Sequence, residues 1–253
     1  MRFIDMHCHL DLMANGFEIA QEAEGRGIGF FCTTVTPTGA LEARKRFAPC
    51  TNARVGAGLH PWWLADGTCG AADVAHACEL AATSPYLGEV GLDGGKRGAG
   101  ALDEQTRALE RILITAARHP LDGRVASFHA VKSAGIVIDL VEKTGLNDSC
   151  ACILHWFSGT TDELWRAVHA GFYFSINEHM LATKRGREYA RILPEDRLLL
   201  ETDAPPELGA PYSLENIEHS LEEALEGISI LRGCSTEELG SSIEQRSAML
   251  LNL

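Results

Sequence analysis

The sequence predicts an α/β protein, a (β/α)8 TIM-like barrel with a metal site at the C-terminal ends of its strands. Three observations predict it. Eight short apolar runs alternate with helical stretches, and that alternation implies parallel pairing. Residues able to ligate a metal stand at the ends of five of these runs: His7 with His9, Glu89, His129, His155 and Asp203. They belong to the first, fourth, fifth, sixth and eighth runs. A closed ring is the simplest way to make such distant strand ends converge, whereas an open doubly wound sheet collects its site at one switch point.

The elements follow in order. Residues 2–7 form a first strand that runs into His7-Cys8-His9. Alternate strand residues share a face, so His7 and His9 point the same way, with Asp5 below them. Residues 18–26 are helical. Residues 29–35 form a second strand, stopped by Thr36-Pro37, and 39–47 have a helical pattern. The third strand, 54–59, ends in His60-Pro61, and 71–83 is an alanine-rich helix. The fourth strand, 86–92, is followed by a flexible glycine-rich stretch, 94–100. Residues 102–119 are strongly amphipathic, with Leu109, Ile112, Leu113 and Ala116 on one face. Strands at 125–129 and 150–155 flank a helix at 136–144. A helix at 161–170 is closed by Gly171, a usual stop residue. Strand 172–176, a short helix at 186–192 and an eighth strand opening at 197–201 follow. Ala204-Pro205-Pro206 breaks that strand, and helices at 214–231 and 236–251 close the chain. No repeat, low-complexity tract or linker interrupts this pattern, so residues 1–253 read as one domain.

Composition narrows the function classes. With 253 residues, 45% of them hydrophobic, the chain can bury an ample core. It has no apolar run long enough to span a membrane and no N-terminal apolar stretch to serve as a secretory signal. A cytoplasmic protein is expected. The eight cysteines are scattered without a Cys-x-x-Cys, which suits free, buried thiols in a reducing compartment. Cys150 and Cys152 lie inside an apparent buried strand with no partner pair, which argues against a soft-metal site. The formal charge of −13 excludes a protein that grips nucleic acid by overall charge. An enzyme that meets one strand end at a time is still compatible with it.

His7, His9, Glu89, His129, His155 and Asp203 supply four imidazoles and two carboxylates. Six ligands are too many for one catalytic ion that keeps a position open. They suit two divalent ions sharing a carboxylate, and Glu89, from a strand midway in the order, is the candidate bridge. Mixed nitrogen and oxygen ligands suit zinc, manganese, iron or nickel, while magnesium would engage fewer of the histidines. Asp203 is the candidate general base. Phosphate-ester hydrolysis and amide or imine hydrolysis both fit such machinery. Asp5 and Glu201 read as supporting partners of the ligands. His60 stands where it would contact a phosphate or cap a turn. Trp62 and Trp156 would stack on a base or pack the barrel rim. Lys96, Arg97 and Lys132 would contact phosphate or sit as solvated charges. Asp93 reads as a loop-fixing residue. His76, His119, His169 and His219 fall on helices and read as structural. His179 follows the seventh strand, within possible reach of the site.

Gly88-Glu89-Val90-Gly91-Leu92-Asp93, His155-Trp156-Phe157-Ser158-Gly159 and Glu201-Thr202-Asp203-Ala204-Pro205 occur in that order. They follow Phe3-Ile4-Asp5-Met6-His7-Cys8-His9-Leu10-Asp11 and Gly58-Leu59-His60-Pro61, with Phe128-His129 between the first two. In this the chain resembles the TatD-related metal-dependent deoxyribonucleases over nearly its whole length. The resemblance implies that His7, His9, Glu89 and Asp203 hold one ion and that Glu89, His129 and His155 hold the other. It implies hydrolysis of phosphodiester bonds in DNA, often from an end, by metal-activated water. Three places depart from the family pattern. Trp62 stands where a second histidine is usual, Val131-Lys132 where an arginine is usual, and Gly94-Gly95-Lys96-Arg97 where a tyrosine and an arginine are usual. The ligands are kept while the expected substrate contacts, His60, Trp62 and Lys132, sit in an altered rim. That leaves open an amidohydrolase-type enzyme (deaminase, lactonase or cyclic-amide hydrolase) on a small substrate. The altered rim is similar to that of the TatD-like component of the Qat anti-phage system. This implies antiviral defence, with other Qat-system proteins as partners.

Overall fold

The computed structural model describes residues 2–253. Eight parallel strands form one sheet in sequence order. They are β1 (Phe3–Cys8), β2 (Ile28–Thr33), β3 (Ala53–Leu59), β4 (Tyr86–Asp93), β5 (Arg124–Val131), β6 (Cys150–His155), β7 (Tyr173–Ile176) and β8 (Leu198–Leu200). The helices are α1 (Gly16–Gly25), α2 (Pro37–Phe47), α3 (Pro61–Ala65), α4 (Ala71–Thr83), α5 (Leu102–Arg118), α6 (Ala134–Thr144), α7 (Thr161–His169), α8 (Glu178–Leu181), α9 (Lys184–Ile192), α10 (Leu214–Arg232) and α11 (Thr236–Leu251). This is the expected (β/α)8 barrel. Among the described residues no helix is long and apolar enough to cross a membrane.

Two features escaped the sequence pattern. Helices α3 and α8 are too short to show a period; each is started by a side-chain cap, His60 on Trp62 N–H and Asn177 on Met180 N–H. Helix α9 begins at Lys184 rather than at residue 186, because Thr183 accepts a hydrogen bond from Gly186 N at 2.9 Å.

One apolar cluster fills the barrel: Ile4, Met6, Phe31, Val125, Ile153 and Leu199 from the strands, with Leu251 of α11 beneath them. Leu251 O accepts from Tyr86 Oη at 2.7 Å and from Arg54 Nε at 3.0 Å, which anchors that plug. A larger cluster lies between the strands and the helices. Arg124, only 1% exposed, opens β5 below the barrel. Its guanidinium donates to the carbonyls of Ala81, Ser84 and Ala116, at the C-terminal ends of α4 and α5. Those ends carry unpaired carbonyls and partial negative charge, which suit a buried cation.

Two irregularities aim the site. The β1–β2 register shifts between Asp5 and Cys8, which breaks the simple alternation. Asp5 therefore does not sit beneath the histidine rings as expected. Its carboxylate turns to the β8 side and accepts from Thr202 N (3.0 Å), Thr202 Oγ1 (2.6 Å) and His7 N (3.2 Å). With Asp203 N on His7 O (2.9 Å) and His9 N on Ala204 O (2.7 Å), these bonds join β1 to the chain beyond β8. In β4 the register shifts between Leu87 and Val90. Gly88 and Gly91, at φ +137° and +149°, flank Glu89 there. A Cβ on Gly91 would lie 2.1 Å from His129 O, so only glycine lets β4 approach β5 at this level.

Candidate metal centre

Glu89, on the β4 bulge, is 1% exposed and stands at the centre of the site. Its two oxygens face different imidazoles. Oε2 lies 3.4 Å from His7 Nε2 and 3.4 Å from His9 Nε2. Oε1 lies 2.7 Å from His129 Nδ1, 3.0 Å from His155 Nε2 and 3.2 Å from His60 Nε2. Asp203 Oδ1 closes the first set, 3.6 Å from His7 Nε2 and 3.4 Å from His9 Nε2. The six residues expected to ligate thus converge on one volume.

They do so from varied positions. His155 ends β6, whereas Glu89 and His129 stand inside β4 and β5, and both of those strands run on past them. Strand β8 stops at Leu200, short of the expected residue 201. Asp203 lies beyond it at φ +57°, a left-handed turn that puts its N–H on His7 O. The sequence makes His60 a phosphate contact or a turn cap. It caps α3 through Nδ1 (3.1 Å from Trp62 N), and its other nitrogen faces Glu89, within metal-ligand spacing of Glu89 and His129.

The hydrogen-bonding state of the imidazoles fits a cation. His7 Nδ1 is 2.7 Å from Ser127 Oγ, while its buried Nε2 has no hydrogen-bond partner among the described residues. Burial and the stacked ring of His155, 3.8 Å away, push the His7 pKa down to about 4. A neutral imidazole with a free, buried lone pair is a metal ligand's state. His9 Nδ1 lies 2.6 Å from the Thr33 carbonyl, which accepts only, so Nδ1 carries the proton. Its Nε2 then faces two carboxylates, and only a proton or a cation can sit between them. Burial opposes the charged form of His9, but bonds to Asp203 and Glu89 outweigh it and raise its pKa well above the ordinary value. Two ligand atoms each about 2.1 Å from one tetrahedral ion lie about 3.4 Å apart, which matches the spacing on Oε2. Burial pushes Glu89 up, yet the charges of His60, His155 and His7 and the bond from His129 hold it well below the carboxylate range. Burial also opposes ionisation of Asp203, and the bond from His9 and the charges of His155 and His7 override it.

The supporting residues divide. Glu201 accepts from Trp156 N (3.0 Å), Asn177 Nδ2 (2.8 Å) and Ser175 Oγ, and lies 3.8 Å from His155 Nδ1. Asp5 acts on the backbone around His7 and Thr202, not on the rings. Asp93 fixes its loop through Gly95 N, as expected. It also accepts from the Trp62 indole and holds His129 Nε2 at 3.3 Å.

Above this floor opens a cavity of about 400 Å³. Trp62 lines it, but one face is covered by the Arg97 guanidinium, 3.9 Å from the ring centre. Two of the departures in the rim are therefore one unit: Arg97 lies on Trp62, and Trp62 is tied to Asp93 at the loop's root. Trp156 and His179 line the opposite side, their rings 5.6 Å apart. Lys132 is exposed and lies outside the lining residues. The sequence carried no sign of the Arg97–Trp62 contact, because the two residues are separated by all of α4 and β4.

Comparison with known proteins gives a consistent result. The model of a family described as TatD related DNase matches residues 4–252. A "3'-5' ssDNA/RNA exonuclease TatD" from Pantoea vagans (strain C9-1) is 30% identical over 208 residues, 78% of this chain and 77% of the relative. The human "Deoxyribonuclease TATDN3" is 27% identical over 257 residues, 93% and 89% of the two chains. In fold, the crystal structure of YJJV, a TatD homologue from Escherichia coli K12, superposes with a TM-score of 0.82 at 21% identity, covering 100% of this chain and 98% of that one. With the family model spanning all eight strands, this chain belongs to the TatD-related DNase family of metal-dependent hydrolases.

Proposed function

We propose that the chain hydrolyses phosphodiester bonds in DNA, working from a strand end in the cytoplasm, with two divalent metal ions. The observation that carries this is the division of Glu89: one oxygen faces His7 and His9, the other faces His129 and His155. On this reading His7, His9, Glu89 and Asp203 hold one ion, and Glu89, His129 and His155 hold the other. Two such ions would acidify a water and draw charge from the phosphoryl oxygens. Asp203, kept ionised and lining the cavity, receives the proton of the attacking water. His60 caps α3 beside Glu89 and presents its ring to the cavity where a phosphate would lie. The names of the relatives, an exonuclease and a deoxyribonuclease, support this substrate class.

Cleavage of end-labelled single-stranded DNA by the purified protein, with Mg²⁺, Mn²⁺ and Zn²⁺ in turn, tests the proposal. Asp203→Asn is the control, and its kcat should fall by about 10²–10⁴ while the circular dichroism spectrum is kept. Turnover of a lactone or cyclic amide with DNA untouched would replace this reading with the small-substrate one. The defence role beside other Qat-system proteins rests on resemblance in the rim. It requires that Asp203→Asn abolish protection of cells from phage.

A further inference from the structure

Trp156 is shared by two cavities. On one side lies the cavity over Glu89 and Asp203. On the other lies a second cavity of about 360 Å³, lined by Ser158, Met180, Thr183 and Arg185 among others. The indole is 37% exposed, high for a tryptophan, and so presents an aromatic surface at the boundary. Its place is over-determined. Trp156 sits at φ +39°, and its N–H is held by Ser175 O and by Glu201, the carboxylate that also approaches His155. The metal-site floor and the aromatic boundary are thus set by one buried residue.

The second cavity has its own chemistry. Lys184, Arg185 and Arg187 are exposed at the start of α9, a local run of cations in a chain of net charge −13. Arg185 lines the cavity beside the Ser158 hydroxyl, while Thr183 uses its own hydroxyl on Gly186 N and Met180 O. Gly186 brings α9 against α8: a Cβ there would lie 2.0 Å from Met180 O. The floor is therefore built by packing. A cation, a hydroxyl and an exposed aromatic ring suit a phosphodiester with an unpaired base.

We infer that the cavity behind Trp156 is a second nucleotide subsite. The base of the nucleotide flanking the scissile bond stacks on Trp156, and its phosphate lies against Arg185. The inference rests on the nuclease reading of the main cavity and makes Trp156 and Arg185 specificity-determining residues for strand length.

The test uses metal-loaded full-length protein and 5′-fluorescein oligothymidylates from dinucleotide to hexanucleotide. The variants are Arg185→Gln and Trp156→Leu. For the wild type, kcat/KM should rise with length as the second subsite fills. In either variant the hexanucleotide-to-dinucleotide ratio should fall by about tenfold. In anisotropy titrations of the hexanucleotide, Arg185→Gln should lower the log–log salt slope of binding by about 0.7, the value for one phosphate contact on a single strand. A structural role for Arg185 would not move that slope. Unchanged length ratios and salt slope in both variants would overturn the subsite. Wild type that cleaves all lengths equally would overturn it while keeping the nuclease reading. Length-dependent binding that is lost in Arg185→Gln, with no cleavage at all, would uphold the subsite and remove the nuclease reading. Neither binding nor cleavage would overturn both.

Discussion

The joint between β1 and the chain beyond β8 depends on one side chain, and two substitutions of Asp5 separate what it supplies. Asp5 is fully buried and accepts from His7 N, Thr202 N and Thr202 Oγ1. Leucine at this position leaves three buried donors without a partner. Each costs about 1–3 kcal/mol; with partial relaxation the sum is about 3–6 kcal/mol. At about 2–4 °C of Tm per kcal/mol, Asp5→Leu should melt about 6–24 °C below wild type. Asparagine keeps the shape. Its Oδ1 accepts the two N–H groups, and its Nδ2 donates to the Thr202 hydroxyl, which already accepts from Ala204 N at 3.1 Å. Burial pushes the Asp5 pKa up to about 8, so the fold already favours the uncharged side chain near neutrality. With asparagine the Thr202 O–H loses its acceptor, so Asp5→Asn should melt below wild type but by well under the leucine's loss. Thermal unfolding followed by circular dichroism reads both, and metal content reads the site, since Asp203 N donates to His7 O across the same joint. Asp5→Leu melting within about 2 °C of wild type would refute the reasoning. So would an Asp5→Asn loss as large as the leucine's, which would show that charge, not hydrogen bonding, holds the joint.

Three further outcomes follow from the structure. Gly91→Ala should abolish soluble expression or metal loading, because its Cβ would meet His129 O at 2.1 Å in a backbone conformation of φ +149°; metal analysis and gel filtration check it. Arg124→Met removes three donors from the carbonyls of Ala81, Ser84 and Ala116. It should lower stability by about 2–4 kcal/mol, read by denaturant unfolding, with kcat of the folded fraction unchanged. Glu163 accepts from Thr160 N, Thr160 Oγ1 and Gly135 N. Burial pushes its pKa up, but these bonds prevail and hold it below the ordinary value. Its stabilisation is therefore complete above the unfolded-state pKa and is lost as pH falls through the folded-state value. Glu163→Gln should be less stable than wild type at neutral pH, with the difference shrinking as the pH falls through the folded-state value, seen in thermal unfolding at neutral and acid pH.

The fold was legible because each strand is a compact apolar run beside a turn signal, and α5 repeats its apolar residues at helical spacing. The residues that converge on Glu89 were legible because each sits in a local motif. What the pattern hid is what depends on neighbours distant in sequence. The register shift in β1 moved Asp5 from under His7 to the side of Thr202, and strict alternation could not show it. The buried role of Arg124 is set by the carbonyl ends of two helices, which no local pattern marks. His60 serves α3 with one nitrogen and faces Glu89 with the other. The motif located it without showing that it does both. Trp62 reads as a stacking or rim-packing residue, and no local signal shows that Arg97 lies on one of its faces.

The plug beneath the barrel has a consequence for how the chain is made. Leu251 packs under Ile4, Met6 and Phe31, and its carbonyl is held by Arg54 and Tyr86. Every strand is synthesised before this residue. A nascent chain that has emerged through β8 therefore has a ring with an open apolar floor until α11 leaves the ribosome. Contacts of such long sequence separation form late, and the exposed surface in that interval is where aggregation begins. The vulnerable interval for this chain lies between the emergence of β8 and that of α11, at the pole of the barrel away from the candidate metal centre.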